Sequence, residues 1–197
     1  MINNIPTEKH PWAPYIPDNA QILILGTFPP PKEKWSMDFY YPNRINDFWR
    51  IMGLIFHNNK EFFYNNSERR FNLPMIKSLL DRYGIAMHDT ARVVRRLKNN
   101  ASDKFLEIIE PLPLHEILED MPTCNAIVST GEKAAQVIAS LTGTPVPDTG
   151  KYTTVEYADK RTLKIYRLPS TSRAYPLAIE KKADFYRQMF TETGVLK

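Results

Sequence analysis

A short run of branched apolar residues at positions 22–25 ends at Gly26 and leads after two more residues into three consecutive prolines. This pattern predicts a central β-strand that opens into a surface loop. Residues 85–87 and 126–128 form two further apolar runs, which predict two more buried strands. Helical patterns lie between and after these runs, and the alternation predicts an α/β fold, with three α/β/α layers and a mostly parallel sheet.

Apolar residues recur at helical spacing in the segments that separate the predicted strands. The first helix covers 48–55, with Asn46 or Asp47 as its N-cap, and the second covers 74–83 and ends at Gly84. Further helical pieces are predicted at 105–109, 114–118, 134–141 and 178–190. Residues 153–157 and 163–168 predict an antiparallel hairpin or two closely neighbouring strands. We therefore expect a single domain over residues 1–197, with residues 1–20 as a proline-rich N-terminal extension.

Length and composition exclude several classes of protein. A chain of 197 residues can bury a core without disulfides or metals, and its single cysteine, Cys124, cannot form an intramolecular disulfide or a multi-thiolate metal site. The four histidines lack the i,i+4 spacing of a helical metal pair. The sequence has no phosphate-binding glycine loop, nucleophile elbow or H-E-x-x-H motif. We therefore expect neither a metal nor an organic cofactor.

The charge pattern is compatible with a polyanionic partner. The net charge is +4; Arg92, Arg95, Arg96 and Lys98 form a run without an acid, and residues 159–187 hold eight bases against three acids. Such runs either bind polyanions or form solvated surfaces. The first 19 residues lack the segments of a signal peptide, and no apolar stretch approaches the roughly 20 residues of a membrane span. The expected location is the cytoplasm, without membrane contact.

Two neighbouring segments combine aromatic rings with amides. Residues 26–31 read Gly-Thr-Phe-Pro-Pro-Pro, and residues 39–50 read Phe-Tyr-Tyr-Pro-Asn-Arg-Ile-Asn-Asp-Phe-Trp-Arg. Ligands of open parallel sheets bind beyond the carboxyl ends of the strands, where flat rings beside hydrogen-bonding groups suit a planar base. The alternative is that Phe48 and Trp49 belong to the helix core and that Asn46 only caps the helix.

A second loop, Leu168-Pro169-Ser170-Thr171-Ser172, follows the last predicted strand. Together with residues 26–29, 40–41 and 46–52, it resembles the uracil-DNA glycosylase superfamily, and most of all the hypoxanthine-DNA glycosylase branch. Segments 84–89 and 131–135 also resemble parts of this family. The resemblance implies a monofunctional enzyme of base excision repair, without a cofactor, that flips a deaminated base out of DNA and hydrolyses its N-glycosidic bond. The base would be uracil, hypoxanthine or xanthine, and the enzyme a monomer whose partner is DNA containing that base.

The resemblance also implies a set of site residues. The catalytic residue would be Asn46; the base-binding residues would be Gly26, Thr27, Phe28 and Tyr41; the DNA-binding residues would be Ser170, Thr171, Ser172, Arg173 and Tyr175. Phe28 would stack under the base, and Arg173 with Tyr175 would fill the vacated stack.

Alternatives remain at these loops. Phe28 and Leu168 stand where many members of the family carry Asp or Asn and His, which leaves open a nucleic-acid-binding protein of the same fold that excises nothing. The serines of 170–172 could instead form an ordinary turn. The three prolines at 29–31 leave open a polyproline ligand for another protein.

Overall fold

The computed structural model describes residues 5–98, 102–157 and 160–197. Its strands are, in chain order, β1 (Thr7–Lys9), β2 (Ile22–Gly26), β3 (Tyr64–Asn65), β4 (Arg70–Phe71), β5 (Ile85–Asp89), β6 (Ala91–Arg96), β7 (Leu106–Pro111), β8 (Ala126–Ser129), β9 (Lys151–Glu156) and β10 (Thr162–Arg167). Its α-helices are α1 (Phe48–His57), α2 (Leu73–Tyr83), α3 (Leu114–Glu119), α4 (Glu132–Thr142) and α5 (Ile179–Glu192).

The central sheet has five strands in the order β5-β2-β8-β10-β9. The first four run parallel, and β9 pairs antiparallel with β10. These pairings confirm the predicted hairpin and the mostly parallel sheet. The carboxyl ends of β5, β2, β8 and β10 consequently lie at one edge, which is where sheets of this kind bind their ligands.

Alternate residues of β2 pack into two cores on opposite faces of the central sheet. Ile22 and Ile24 belong to a core that includes residues of α1, α2 and α5, whereas Leu23 and Leu25 belong to a core that includes residues of α3 and α4. Because all four side chains are fully buried, helices cover the sheet on both sides. This arrangement is the α/β/α architecture that the alternation of elements predicts.

The ends of α2 show how local sequence sets the direction of the next strand. Oδ1 of Asn72 accepts a hydrogen bond from the Met75 backbone N–H at the start of the helix. Gly84 ends it with a left-handed φ of +62°, a conformation that glycine adopts without steric cost. Strand β5 begins at the following residue, as predicted.

Residues 106–109, which the sequence predicts as helical, lie instead in β7. The prediction was wrong because Leu106 and Ile108, two residues apart, pack into the same small cluster with Val94 of β6, which is the periodicity of a strand. Strand β7 pairs antiparallel with β6, and β6 pairs with β1, in a second sheet of three strands. Cross-strand packing therefore decided the structure of this segment.

The proline-rich N-terminal segment takes part in both sheets. Strand β1 pairs with β6, and Tyr15 forms an antiparallel bridge with Met87 of β5. The segment between them, which includes His10, is thereby drawn towards the carboxyl edge of the central sheet. None of the helices in the described ranges is long and apolar enough to cross a membrane.

Candidate active site

A cleft of about 420 Å³ opens at the carboxyl edge of the central sheet, within the size range of small-molecule pockets. The residues predicted from the sequence that line it are Gly26, Thr27, Phe28, Tyr41, Asn46, Ser170, Thr171, Ser172 and Arg173. Of the predicted site residues, Tyr175 alone is absent from this lining. The two loops that carry the resemblance, far apart in the chain, therefore meet at one site.

The loop after β2 forms one wall of the cleft. Phe28 is half-buried beside Val94, and its ring meets the His10 imidazole edge-on, with 5.4 Å between the centroids. Oγ1 of Thr27 donates a hydrogen bond of 2.8 Å to Oδ2 of Asp103. Within the described residues, the backbone N–H groups of Thr27 and Phe28 have no acceptor. Both groups are therefore free to donate to an oxygen of a ligand.

Tyr41 is fixed through its ring and its hydroxyl group. The ring stacks on Phe48, with 3.9 Å between centroids and 10° between planes, and the hydroxyl oxygen lies 2.6 Å from Oγ1 of Thr130. Burial, together with the negative charge of Asp89, raises the pKa of this phenol well above its ordinary value. The hydroxyl group therefore stays neutral. The residue has a φ of +52°, which tyrosine seldom adopts and which these contacts must hold.

Asn46 combines a structural contact with a free amide group. Its Oδ1 accepts a hydrogen bond of 2.9 Å from the Phe48 backbone N–H, so the oxygen supports the turn that leads into α1. The N-cap itself is Asp47, whose side chain makes no capping bond, and of the two predicted N-caps the structure therefore selects Asp47. In the described part of the chain its Nδ2 has no hydrogen-bond partner, and the residue lines the cleft. The amide nitrogen therefore remains available to a ligand, whereas the oxygen is shared with the helix.

The loop after β10 is held by its own serines and by α1. Oγ of Ser170 accepts from the Ser172 N–H, and Oγ of Ser172 accepts from the Ala174 N–H, both at 3.2 Å. The carbonyl oxygen of Thr171 accepts a hydrogen bond of 3.0 Å from the Asp47 N–H. The serines thus do form a turn, and this turn places residues 170–172 along the cleft.

Arg173 and Tyr175 occupy different positions relative to the cleft. Nε of Arg173 lies 3.0 Å from Oδ1 of Asp47, and 51% of the arginine side chain is exposed. Tyr175 is half-buried, and its backbone N–H donates to the Ser172 carbonyl. The structure brings Arg173 into the cleft lining and leaves Tyr175 outside it.

Four acidic or basic side chains at this site are not identified from the sequence, and one of them is Lys34 in the cleft lining. Asp89 ends β5 directly beside Gly26, and its Oδ2 lies 2.9 Å from Nε2 of His10. Asp103 also lines the cleft; burial raises its pKa, against the Thr27 hydrogen bond that lowers it. The rule that sites lie beyond strand ends could have found Asp89. No local pattern indicates that His10 reaches the same place.

The basic run that follows β5 is largely paired within the second sheet. Arg92, Arg95 and Arg96 lie 3.7, 2.8 and 3.0 Å from carboxylate oxygens of Glu110, Glu107 and Glu8. Arg95 and Arg96 are therefore largely buried in ion pairs between neighbouring strands, whereas the Arg92 side chain stays 64% exposed beside Glu110. Among the residues that the structure describes, no group of three or more His, Cys, Asp or Glu side chains could hold a metal ion.

Comparison with known proteins extends the fold assignment. No family model matches the chain, and no curated protein matches it. The chain does match a solution NMR structure of a putative uracil DNA glycosylase from Methanosarcina acetivorans, with a TM-score of 0.63. The two sequences are 19% identical, and the match covers 94% of this chain and 98% of the other. At this identity the likeness establishes the fold. The predicted α/β fold is confirmed along nearly the whole chain.

Proposed function

We propose that the protein is a monofunctional DNA glycosylase that removes a deaminated base (uracil, hypoxanthine or xanthine) as a step in base excision repair. One observation carries the proposal: the loop after β2 and the loop after β10 meet in a single cleft of about 420 Å³. That volume suits one planar base. A shared fold with a putative uracil DNA glycosylase supports the same function.

The chemistry of base removal assigns roles to the cleft residues. A base must leave the duplex before its glycosidic bond can be reached, so Phe28 would offer a flat face to the flipped base. Negative charge then develops on the departing base, and preorganised donors stabilise it most effectively. The free N–H groups of Thr27 and Phe28 and the Nδ2 group of Asn46 would supply those donors.

The opposite wall would hold the DNA backbone. The hydroxyl groups of residues 170–172 lie beside the cleft and would bind phosphates, as such side chains commonly do. Arg173 would enter the vacated stack, with Tyr175 beside it, once its ion pair with Asp47 opens. Wedges of this kind stabilise a flipped nucleotide after the protein has docked.

A second candidate is a DNA-binding protein of the same fold without excision. Leu168, only 1% exposed, is an apolar side chain at the end of β10, and Phe28 is an apolar side chain after β2. Both positions would carry polar catalytic groups in many members of the family that the sequence resembles. A protein without those groups could bind DNA and leave every base in place.

An excision assay separates the candidates. Purified protein is incubated with duplexes that carry uracil, hypoxanthine or xanthine, with an undamaged duplex as control, and strand breaks are measured before and after alkali. Breaks on a lesion duplex only after alkali are expected from a monofunctional glycosylase. DNA binding that weakens with salt, but without breaks, would favour the silent binder. A protein that neither excises a base nor binds DNA would leave the polyproline ligand as the remaining alternative.

A further inference from the structure

We propose that Asp89 is a catalytic carboxylate of this cleft and that His10 positions it. The inference rests on the proposed glycosylase function and names a residue that this function had not yet assigned. Asp89 is the last residue of β5 and stands in register with Gly26, the last residue of β2. Its side chain is 8% exposed and lines the cleft. The carboxylate therefore sits at the level where the loop after β2 begins.

Gly26, at the end of β2, leaves room for this carboxylate because it has no side chain. A Cβ atom built on Gly26 would collide with Oδ1 of Asp89 and would lie 3.1 Å from the Tyr41 hydroxyl oxygen. Any larger residue would have to displace the carboxylate or the phenol. Since strand ends are rigid supports, Asp89 is held more firmly than a side chain on a loop would be.

His10 fixes the other carboxylate oxygen. Its Nε2 lies 2.9 Å from Oδ2, and its own side chain is only 3% exposed. A carboxylate only accepts hydrogen bonds, so Nε2 must carry the proton. Nδ1 lies 2.9 Å from the carbonyl oxygen and 3.2 Å from the backbone nitrogen of Trp12. The backbone N–H of His10 donates a hydrogen bond to the backbone carbonyl oxygen of Arg92. The imidazole is thus anchored on both sides, and Oδ1, which accepts no hydrogen bond from the described residues, is left for the cleft.

The alternative carboxylate, Asp103, is less suited to the role. Burial raises its pKa and favours its neutral form, and its Oδ2 already accepts from Thr27. Positive charge develops on the sugar as the glycosidic bond breaks, and an ionised carboxylate stabilises such a cation. Asp89, whose Oδ2 accepts a hydrogen bond from His10, provides that negative charge.

The step balances with water alone. The bond between C1′ and the base nitrogen breaks, and its electron pair leaves with the base. The water oxygen forms a bond to C1′, and the proton that this water loses passes to the carboxylate of Asp89. The carboxyl group afterwards releases the proton to solvent, while the base anion takes one up. No oxidant, reductant or metal takes part in this sequence.

The test is single-turnover excision on whichever lesion duplex the wild-type protein processes. Asp89→Asn keeps the shape of the side chain and should lower the rate roughly a hundredfold or more, with DNA affinity within a few-fold of wild type. Asp89→Ala should recover part of its lost rate in added formate, which replaces the missing carboxylate. The matched control is Asp184→Asn on α5, which removes one exposed acid outside the cleft and should leave the rate unchanged.

The test of His10 must distinguish positioning of the Asp89 carboxylate from general support of the fold. His10→Gln retains an amide donor in reach of Asp89 and should keep most of the excision rate, whereas His10→Ala should lose about tenfold at an unchanged fold, checked by circular dichroism. Equal loss in both variants would overturn the positioning role. An active wild type with an equally active Asp89→Asn overturns the inference alone, whereas a wild type that excises no base overturns the proposed function together with it.

Discussion

The Nζ atom of Lys182 lies 3.2 Å from Oδ2 of Asp47, and only 1% of the lysine side chain is exposed. The same ammonium group donates a hydrogen bond of 2.8 Å to the carbonyl oxygen of Ser172. Asp47 also pairs with Arg173, and its backbone N–H binds the Thr171 carbonyl. One buried carboxylate therefore ties α1, α5 and the loop after β10 together at the rim of the cleft.

Removing Lys182 should destabilise the protein substantially. Among the described residues, Lys182→Met leaves Asp47 with the half-exposed Arg173 as its ion-pair partner, and the weakened compensation of a buried charge should cost up to about 3 kcal/mol of unfolding free energy. Urea denaturation measures this change. Lys181→Met is the matched control, since its neighbouring ammonium group is 72% exposed and its removal should cost little. Equal stability of the two variants would contradict the role of the buried ion pair.

Substitutions of Asn46 should separate the role of its side-chain oxygen from that of its side-chain nitrogen. Asn46→Ala removes both the acceptor for the Phe48 N–H and the free Nδ2 group, so we expect about 1 kcal/mol less stability and excision slowed by roughly a hundredfold or more. Asn46→Ser keeps a capping oxygen and should recover stability but not excision. Melting temperature and single-turnover rate are measured on the same preparations. A serine variant that is fully active would restrict Asn46 to supporting the turn before α1.

Local sequence was sufficient for the elements whose boundaries are set by neighbouring residues. The strand at 22–26 ends where its apolar run ends, and α2 begins after Asn72 and ends before Gly84 because these residues cap it. That the loops after β2 and β10 meet at one edge followed from the direction of parallel strands, whereas the choice of Phe28, Asn46 and Ser170 within these segments came from the family resemblance.

The failures have non-local causes. Residues 106–109 lie in a strand because β6 supplies a partner, which helical spacing in one segment does not reveal. His10 reaches Asp89 because β1 joins the second sheet, a contact between positions far apart in the chain. The three arginines of the basic run are paired with acids on two other strands, so the net charge of this surface cannot be judged from the run alone.

The ion pairs of β6 change the expected origin of salt-dependent DNA binding. Lys34 lies in the cleft lining, is exposed and forms no ion pair within the described residues. Lys34→Ala should therefore weaken DNA binding for every sequence and lower the slope of log affinity against log salt by about 1. Arg95→Gln, which removes a base already paired with Glu107, should change the slope much less. Equal slopes in both variants would show that Lys34 does not contact a phosphate.

His88 gives the fold an acid-sensitive element behind the cleft. Its Nδ1 lies 2.9 Å from the Tyr40 hydroxyl oxygen, and that hydroxyl group donates to the Ala13 carbonyl, so Nδ1 carries a proton and donates to Tyr40. Burial, with a smaller contribution from His10, lowers the pKa of His88 from 6.5 to about 4. The native state therefore holds this imidazole neutral at pH values where the unfolded chain is already protonated.

The sign of the resulting pH dependence follows from proton binding. Between about pH 6.5 and pH 4 the unfolded chain binds a proton at His88 that the native state does not, so the free energy of unfolding falls as the pH falls, by up to about 3 kcal/mol for this group. His88→Asn keeps an amide donor for Tyr40 and removes the titration. We expect urea denaturation to show a smaller loss of stability between pH 7 and pH 4.5 in the variant than in the wild type. The neighbouring groups, His10, Asp89 and Asp103, are common to both proteins, so an identical loss in the two would mean that His88 does not remain neutral in the folded protein.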